Sequence, residues 1–207
     1  MSSTNRGYDR HVADYYVTPK KDVEIFLNEF IQCNKISNPE KLKWLDPCCG
    51  GDKDNDASYL SVIKNKYNPK NIIGIDIRDD SHADIVTNYL DVDGEMIYDN
   101  DIIISNPPFY LAEEFIKKSL ENIKEGGYVI MLLRLNFFGS QKRKELFDNY
   151  MPKYCFVHRK RINFIPDSMK KQMKLNGDKI PSGDSIEYAH FVWQKGYTMN
   201  YTQTFII

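Results

Sequence analysis

The run Asp101-Ile102-Ile103-Ile104-Ser105-Asn106-Pro107-Pro108-Phe109-Tyr110 decides how the rest of the chain is read. Its isoleucines are too few for a buried helix and two prolines stop them, which predicts a parallel strand buried on both faces that ends abruptly. Asn106 then sits at the strand's carboxyl edge, where open α/β sheets bind their ligands. A carboxamide followed by Pro-Pro-aromatic at such an edge is hard to explain as packing. It offers two acceptors, the Asn106 side-chain oxygen and the Pro107 carbonyl, with no ladder donor nearby to occupy them. Two acceptors suit an exocyclic amine, whose lone pair is delocalised into its ring. Holding both N–H groups biases the nitrogen toward a tetrahedral, nucleophilic geometry by orientation and electrostatics, with no covalent catalysis and no general base before attack.

Upstream, Leu42 to Leu45 read as a short strand running into Asp46-Pro47-Cys48-Cys49-Gly50-Gly51-Asp52. An acid at a strand end followed by paired glycines lets backbone approach a ligand while the carboxylate accepts from an amino group. The acidic stretch Asp52 to Asp56 would repel a phosphate, which argues for a cationic cofactor over a dinucleotide. Cys48 and Cys49 are read as small packing residues rather than as a cytosine-C5 nucleophile. A helix over Ala57 to Tyr67 precedes a second strand, Asn71 to Ile77, whose Asp76 suits the two hydroxyls of a ribose. Asp79 and Asp80 are turn residues. Asp84 to Leu90 reads as a third strand ending at Asp91-Val92-Asp93-Gly94.

Before these strands, a helical pattern from Val23 to Ile31 follows Thr18-Pro19, with Thr18 as expected N-cap and Pro19 at the first helical position. After Tyr110 a helix is expected to about Lys124, broken by Gly126-Gly127, and Tyr128 to Leu135 is a fifth strand. Asn136 to Ser140 open a short helix near Gln141 to Tyr150, where Phe137 or Phe138 either walls a substrate pocket or joins the core. Lys153 to Phe164 reads as a strand carrying His158-Arg159-Lys160-Arg161, and residues 165–186 as a long loop without apolar periodicity. Ile186 to Lys195 closes the sheet antiparallel, with His190 as a core histidine, and Tyr197 to Ile207 is a short edge strand or tail.

Strands separated by helical patterns mean a doubly wound α/β sheet, and 207 residues suffice for one such domain with a full core. The expected organisation is a flexible start over 1–13 and one domain over 14–207, with a basic recognition segment at about 137–187. Lys and Arg number 15 against 23 Asp and Glu in residues 1–133, but 12 against 4 in residues 134–179. An acidic cofactor half beside a basic late segment suits a polyanionic substrate. Four cysteines without metal-clamp spacing imply no metal and a reduced, cytoplasmic protein. No signal peptide and no membrane-spanning run is read from the sequence.

Ser105 to Phe109 resembles the Asn-Pro-Pro-(Tyr/Phe) motif of the amino methyltransferases that use S-adenosylmethionine to methylate amines such as adenine N6. Tyr16-Val17-Thr18-Pro19 and the Asp46 to Gly51 loop are similar to that family's cofactor motifs, in the same order. The resemblance covers roughly residues 14–195 and is nearest the gamma class of DNA methyltransferases. It implies a Rossmann-like class I methyltransferase fold, a seven-stranded mainly parallel sheet with an antiparallel closing strand. It also implies S-adenosylmethionine contacts from Tyr16, Thr18, Pro19, Asp46, Pro47, Cys48, Gly50, Asp76, Ile77, Asp91, Val92 and Asn106, Asp91 taking the adenine amino group with Asp93 as competitor. Asn106, Pro107, Pro108 and Phe109 would be catalytic, with Phe109 stacked on a flipped adenine. Phe164 would stack from the opposite side, with Phe138, Arg159, Arg161, Lys170 and Lys171 also on the substrate. DNA is the implied substrate and RNA the runner-up. The gamma class normally carries a sizeable carboxyl-terminal recognition domain, where only residues 137–187 are available here, so the expectation is either short sequence recognition or a recognition partner subunit. A glutamine methyltransferase would have no use for a basic loop. A non-catalytic cofactor-binding subunit would tend to lose either the Asn-Pro-Pro string or the cofactor acids, and both are retained here.

Overall fold

The computed structural model describes residues 16–93, 97–180 and 185–207, and its elements follow the alternation read above. In chain order they are α1 (Lys20–Cys33), β1 (Lys43–Asp46), α2 (Ser58–Tyr67), β2 (Asn71–Asp76), β3 (Ile85–Val86), β4 (Asn100–Ser105) and α3 (Ala112–Asn122). Then come β5 (Ile123–Arg134), α4 (Lys144–Asn149), β6 (Tyr154–Val157), α5 (Asp167–Leu175), β7 (Tyr188–Gln194) and β8 (Gln203–Ile206). The expected flexible start, with Asp14 and Tyr15, lies outside the described residues, as do Gly94 and residues 181–184.

The strands form one sheet in the order β3-β2-β1-β4-β5-β7-β6-β8. β1 to β5 pair in parallel, and β7 runs antiparallel between β5 and β6. The sheet has eight strands where seven were expected, because Gln203–Ile206 pairs in parallel with β6 at the edge. From β1 the chain winds outward through β2 and β3, then returns to add β4 and β5 on the other side. The strand order therefore reverses between β1 and β4, the place where doubly wound sheets open a crevice.

The isoleucine run feeds two cores. Ile102 and Ile104 face Val23, Phe26 and Phe30 of α1 and Tyr59 and Ile63 of α2. Ile103 faces Phe115, Ile116 and Leu120 of α3. All three isoleucines are fully buried, and each contributes about 1.5–3 kcal/mol of apolar transfer, which is why the middle of this strand, between Asp101 and Ser105, is wholly apolar. No described helix is long and apolar enough to cross a membrane.

Several boundaries differ from the sequence reading. The third strand shrinks to Ile85–Val86 because Asn88 turns the chain into a short 3-10 helix, its side chain accepting from Leu90 N at 3.2 Å. β5 starts earlier than Tyr128, running through Gly126-Gly127 as an irregularity in its pairing with β4. β6 stops at Val157, since its partner β7 begins at Tyr188 and offers no ladder beyond the Val157–Ala189 pair. The long loop contains α5, a helix without an apolar stripe to announce it: Leu175 is 87% exposed. Thr18 is not the N-cap of α1. Pro19 takes that place, with no side-chain cap.

His190 is a core histidine, as expected. Its ring stacks on Phe26 at 3.9 Å, its Nε2 lies 2.9 Å from the Tyr59 hydroxyl and its Nδ1 2.9 Å from His158 Nε2. Burial lowers both imidazoles, His158 to about 4 and His190 well below its usual value, with His158 adding to the latter. Below about pH 6.5 the unfolded chain therefore binds protons that the folded chain refuses, and this chain of rings withdraws stability as the pH falls from about 6.5 toward 4. In an NMR titration the ring signals of both histidines should hold steady through pH 6.5, with His158 moving only near pH 4. A His158 midpoint at 6.5 would mean that the trio is open to water.

Candidate active site

The carboxyl ends of β1, β2 and β4 border an open cleft. One wall is the loop after β1. Gly50 and Gly51 have φ of +67° and +87°, and a Cβ on Gly51 would lie 2.6 Å from the His82 ring, so only glycine fits there. Asp76, at the end of β2, accepts from Gly50 N at 2.8 Å through one oxygen and from Arg78 N at 2.9 Å through the other. Each oxygen keeps a lone pair for a ligand hydroxyl. Ile77 stands beside it in the cleft, 61% exposed.

Asp46 is placed differently from its neighbours. Its carboxyl is fully buried below the loop, accepting from Ser105 Oγ at 2.6 Å and Cys48 N at 3.1 Å, and its second oxygen has no hydrogen-bond partner. It does not line the cleft. Burial outweighs the two hydrogen bonds and raises it to about 7. The thiols of Cys48 and Cys49 are also pushed up, by burial and then by the carboxylates of Asp46 and Asp76, which leaves them poor nucleophiles and fits a packing role.

Asn106 lines the cleft at the end of β4. Its Nδ2 donates to Thr18 Oγ1 at 3.1 Å, which turns the amide oxygen away from Thr18 as an available acceptor. Tyr16, Thr18, Pro47, Cys48 and Pro108 line the same cleft, while Pro19 faces an adjoining one with Asp54 and Asp56. Asp56 is held below the usual carboxylate range by its ion pair with Lys20, which ties α1 to the acidic loop.

Not every predicted residue gathers here. Asp91 accepts from Asn88 Nδ2 at 2.7 Å and Val92 packs on the α3 core; neither lines the cleft. Asn88 and Tyr89 line it instead. Their positions depend on the 3-10 turn, which a reading of this stretch as continuous strand cannot supply. Tyr110, 72% exposed, and Leu111 form a further wall that the motif reading passed over.

Phe109 and Phe164 both pack on Tyr188, at 5.8 and 5.0 Å between ring centroids, and Phe164 also reaches Tyr16 at 6.1 Å. The two rings thus share a wall beyond Asn106. Phe138 lies elsewhere, against Phe147 and Phe191 on the α3 side of the sheet. Arg159, Lys160 and Arg161 follow β6 and emerge at the same carboxyl edge, since β6 runs parallel to β5, and Arg161 pairs with Glu187 at 2.9 Å. Lys170 and Lys171 sit on α5, where the Lys170 charge acts on Asp22 of α1. Among the described residues no group of His, Cys, Asp and Glu could hold a metal ion.

The sequence matches no protein-family profile and no curated protein. Its fold does have solved counterparts. A Listeria monocytogenes protein assigned to the class I S-adenosylmethionine-dependent methyltransferases shares 15% identity over 92% of this chain and 65% of its own, with a TM-score of 0.61. The type IIG restriction endonuclease BpuSI shares 11% over 91% of this chain and 26% of its own, TM-score 0.59. The M protein of the type I restriction enzyme EcoKI shares 15% over 81% and 44%, TM-score 0.55. The chain spans less than two thirds of the length of each. At these identities the likeness defines the fold, and it is the class I methyltransferase fold.

The buried Asp46 carboxyl generates a pH test. With a pKa near 7 folded and near 3.8 unfolded, it holds a proton in the native state across that interval, so its contribution to stability falls as the pH rises from about 4 to 7. Asp46→Asn removes the titration. Denaturant melts should show the variant gaining on the wild type over that interval by up to on the order of 4 kcal/mol, whereas parallel curves would show that Asp46 is ionised throughout.

Proposed function

We propose that the chain transfers a methyl group from S-adenosylmethionine to N6 of adenine in DNA. The observation that carries this reading is the Asn106 amide, its nitrogen engaged by Thr18 and its oxygen free to accept, opening on the cleft that Asp76 and the glycine loop also form. That arrangement fits an amine and a methyl donor meeting side by side.

The residues present suit the cofactor. Asp76 would accept the ribose hydroxyls and Ile77 would lie against the adenine. Asn88 would stand near the adenine edge in place of Asp91, and Thr18 and the loop backbone would border the methionine end. Asp46, buried below the loop and outside the cleft, would act through the loop, whose start it holds by accepting from Cys48 N. When bound, the cofactor supplies an electrophilic methyl group. The protein's part is positional: Asn106 Oδ1 and the Pro107 carbonyl hold the amine hydrogens, so that the nitrogen lone pair is localised and aimed. The proton lost after attack passes to solvent.

A paired adenine hides N6 inside the duplex, so the base must be flipped, with the Phe109 and Phe164 wall to receive it. Sequence choice would come from the basic segment over 137–187, alone or together with a recognition subunit.

Incubation with methyl-labelled S-adenosylmethionine and duplex DNA, single-stranded DNA or ribosomal RNA, followed by nucleoside mass spectrometry, should yield N6-methyldeoxyadenosine. Methylated nucleosides from RNA alone would keep the mechanism and replace the substrate. Asn106→Ala should lower turnover at least a hundredfold while S-adenosylmethionine binding by calorimetry is retained, and Asp76→Ala should lose that binding by tenfold or more, on the order of the 1.5–3 kcal/mol of a hydrogen bond to a charged group. Wild-type turnover in Asn106→Ala would remove the proposed centre.

A further inference from the structure

Arg134, the last residue of β5, lies outside the sequence motifs, and its surroundings are unusual. β4 and β5 run in register with Ser105 opposite Met131, so Arg134 emerges at the same edge as Asn106. Its guanidinium carbon lies 5.1 Å from the centroid of the Phe109 ring. Its Nε is buried and has no hydrogen-bond partner, and no ion pair among the described residues engages it. Several other arginines are engaged, Arg78 by Asp80 and the Gly51 carbonyl, Arg143 by the Phe137 carbonyl and Arg161 by Glu187. A buried guanidinium donor left unpaired costs on the order of 1–3 kcal/mol, so such a group in a native fold needs an explanation.

We propose that Arg134 is a substrate-positioning residue whose guanidinium, held over Phe109, binds a backbone phosphate of the strand that carries the target amine. This rests on the nucleic-acid reading above and deepens it. Arginine suits the task because its planar fork matches two phosphate oxygens while its face lies on an aromatic ring. Arg134 does not line the cleft of Asp76 and the glycine loop; its contact is with Phe109, which would receive the target base. Exposed Arg159 and Lys160, beyond the end of β6, extend positive charge along the same edge, so a strand contacting Arg134 has a path onward. A phosphate beside Phe109 would fix the target nucleotide at its backbone while Asn106 and Pro107 hold its amine, two anchors on opposite ends of one nucleotide.

The test is binding of a fluorescein-labelled, adenine-containing oligodeoxynucleotide, and its RNA counterpart, by anisotropy with S-adenosylhomocysteine present, across a salt series. Arg134→Gln should bind the preferred oligonucleotide roughly tenfold more weakly at 0.1 M salt. Its slope of log affinity against log salt should be shallower by about one, with S-adenosylhomocysteine affinity unchanged. Arg134→Lys should restore the slope. Equal affinity and equal slope in Arg134→Gln and wild type would overturn the assignment and leave Arg134 as a support for Phe109. Failure of the wild type itself to bind either oligonucleotide would instead overturn the nucleic-acid reading on which it rests. Melting curves of both variants establish that they are folded.

Discussion

Beyond the backbone pairing of β1 with β4, a buried side-chain hydrogen bond ties the two strand ends together where the halves of the sheet part. Ser105 donates to Asp46 at 2.6 Å across the ends of β4 and β1, and the same carboxyl oxygen accepts from Cys48 N at the start of the glycine loop. Moving either strand end would disturb both the loop and the Asn-Pro-Pro turn that follows Ser105. The raised pKa of Asp46 indicates what the arrangement costs: a carboxyl held in the core with one oxygen unanswered, a strain on stability kept at the place where two functional loops must stay in step.

From that bond the charge of the molecule divides. On the β1 and β2 side stand Asp52, Asp54, Asp56, Asp79 and Asp80; on the β5 and β6 side stand Arg134, Arg159, Lys160 and Arg161. Asn106 lies between them. A cationic cofactor and a polyanionic substrate would each approach by the side that attracts it, and the acidic loop would keep phosphates off the cofactor half.

The parts legible in the sequence were those governed by local rules. Ile102 to Ile104 could only be a buried strand, and the positive φ of Gly50 and Gly51 follows from the glycine pair after a strand-end acid. Asp76 at the end of β2 needed only the strand to be recognised. What escaped the sequence depends on distant partners. Thr18 has the look of a helix cap, yet its hydroxyl meets a side chain 88 positions away. Asn88 and Asp91 exchange places because a 3-10 turn of three residues, too short to leave a period, rotates one into the cleft and the other out. Arg134 is an ordinary residue at a strand end until Phe109 is folded beneath it, and α5 was invisible because it buries almost nothing.

The contact between Thr18 and Asn106 has a consequence of its own. A carboxamide is nearly symmetric in shape, and by itself would point its oxygen or its nitrogen toward an incoming amine with similar ease. Only one of these is useful, since an NH2 group facing an NH2 group repels it. With Nδ2 donating to the threonine hydroxyl, at a strength of about 1 kcal/mol typical of a neutral hydrogen bond, the amide is held with its oxygen turned away from Thr18. The segment before the first helix therefore does more than border a cleft: it anchors an amide at the end of a strand laid down much later in the chain.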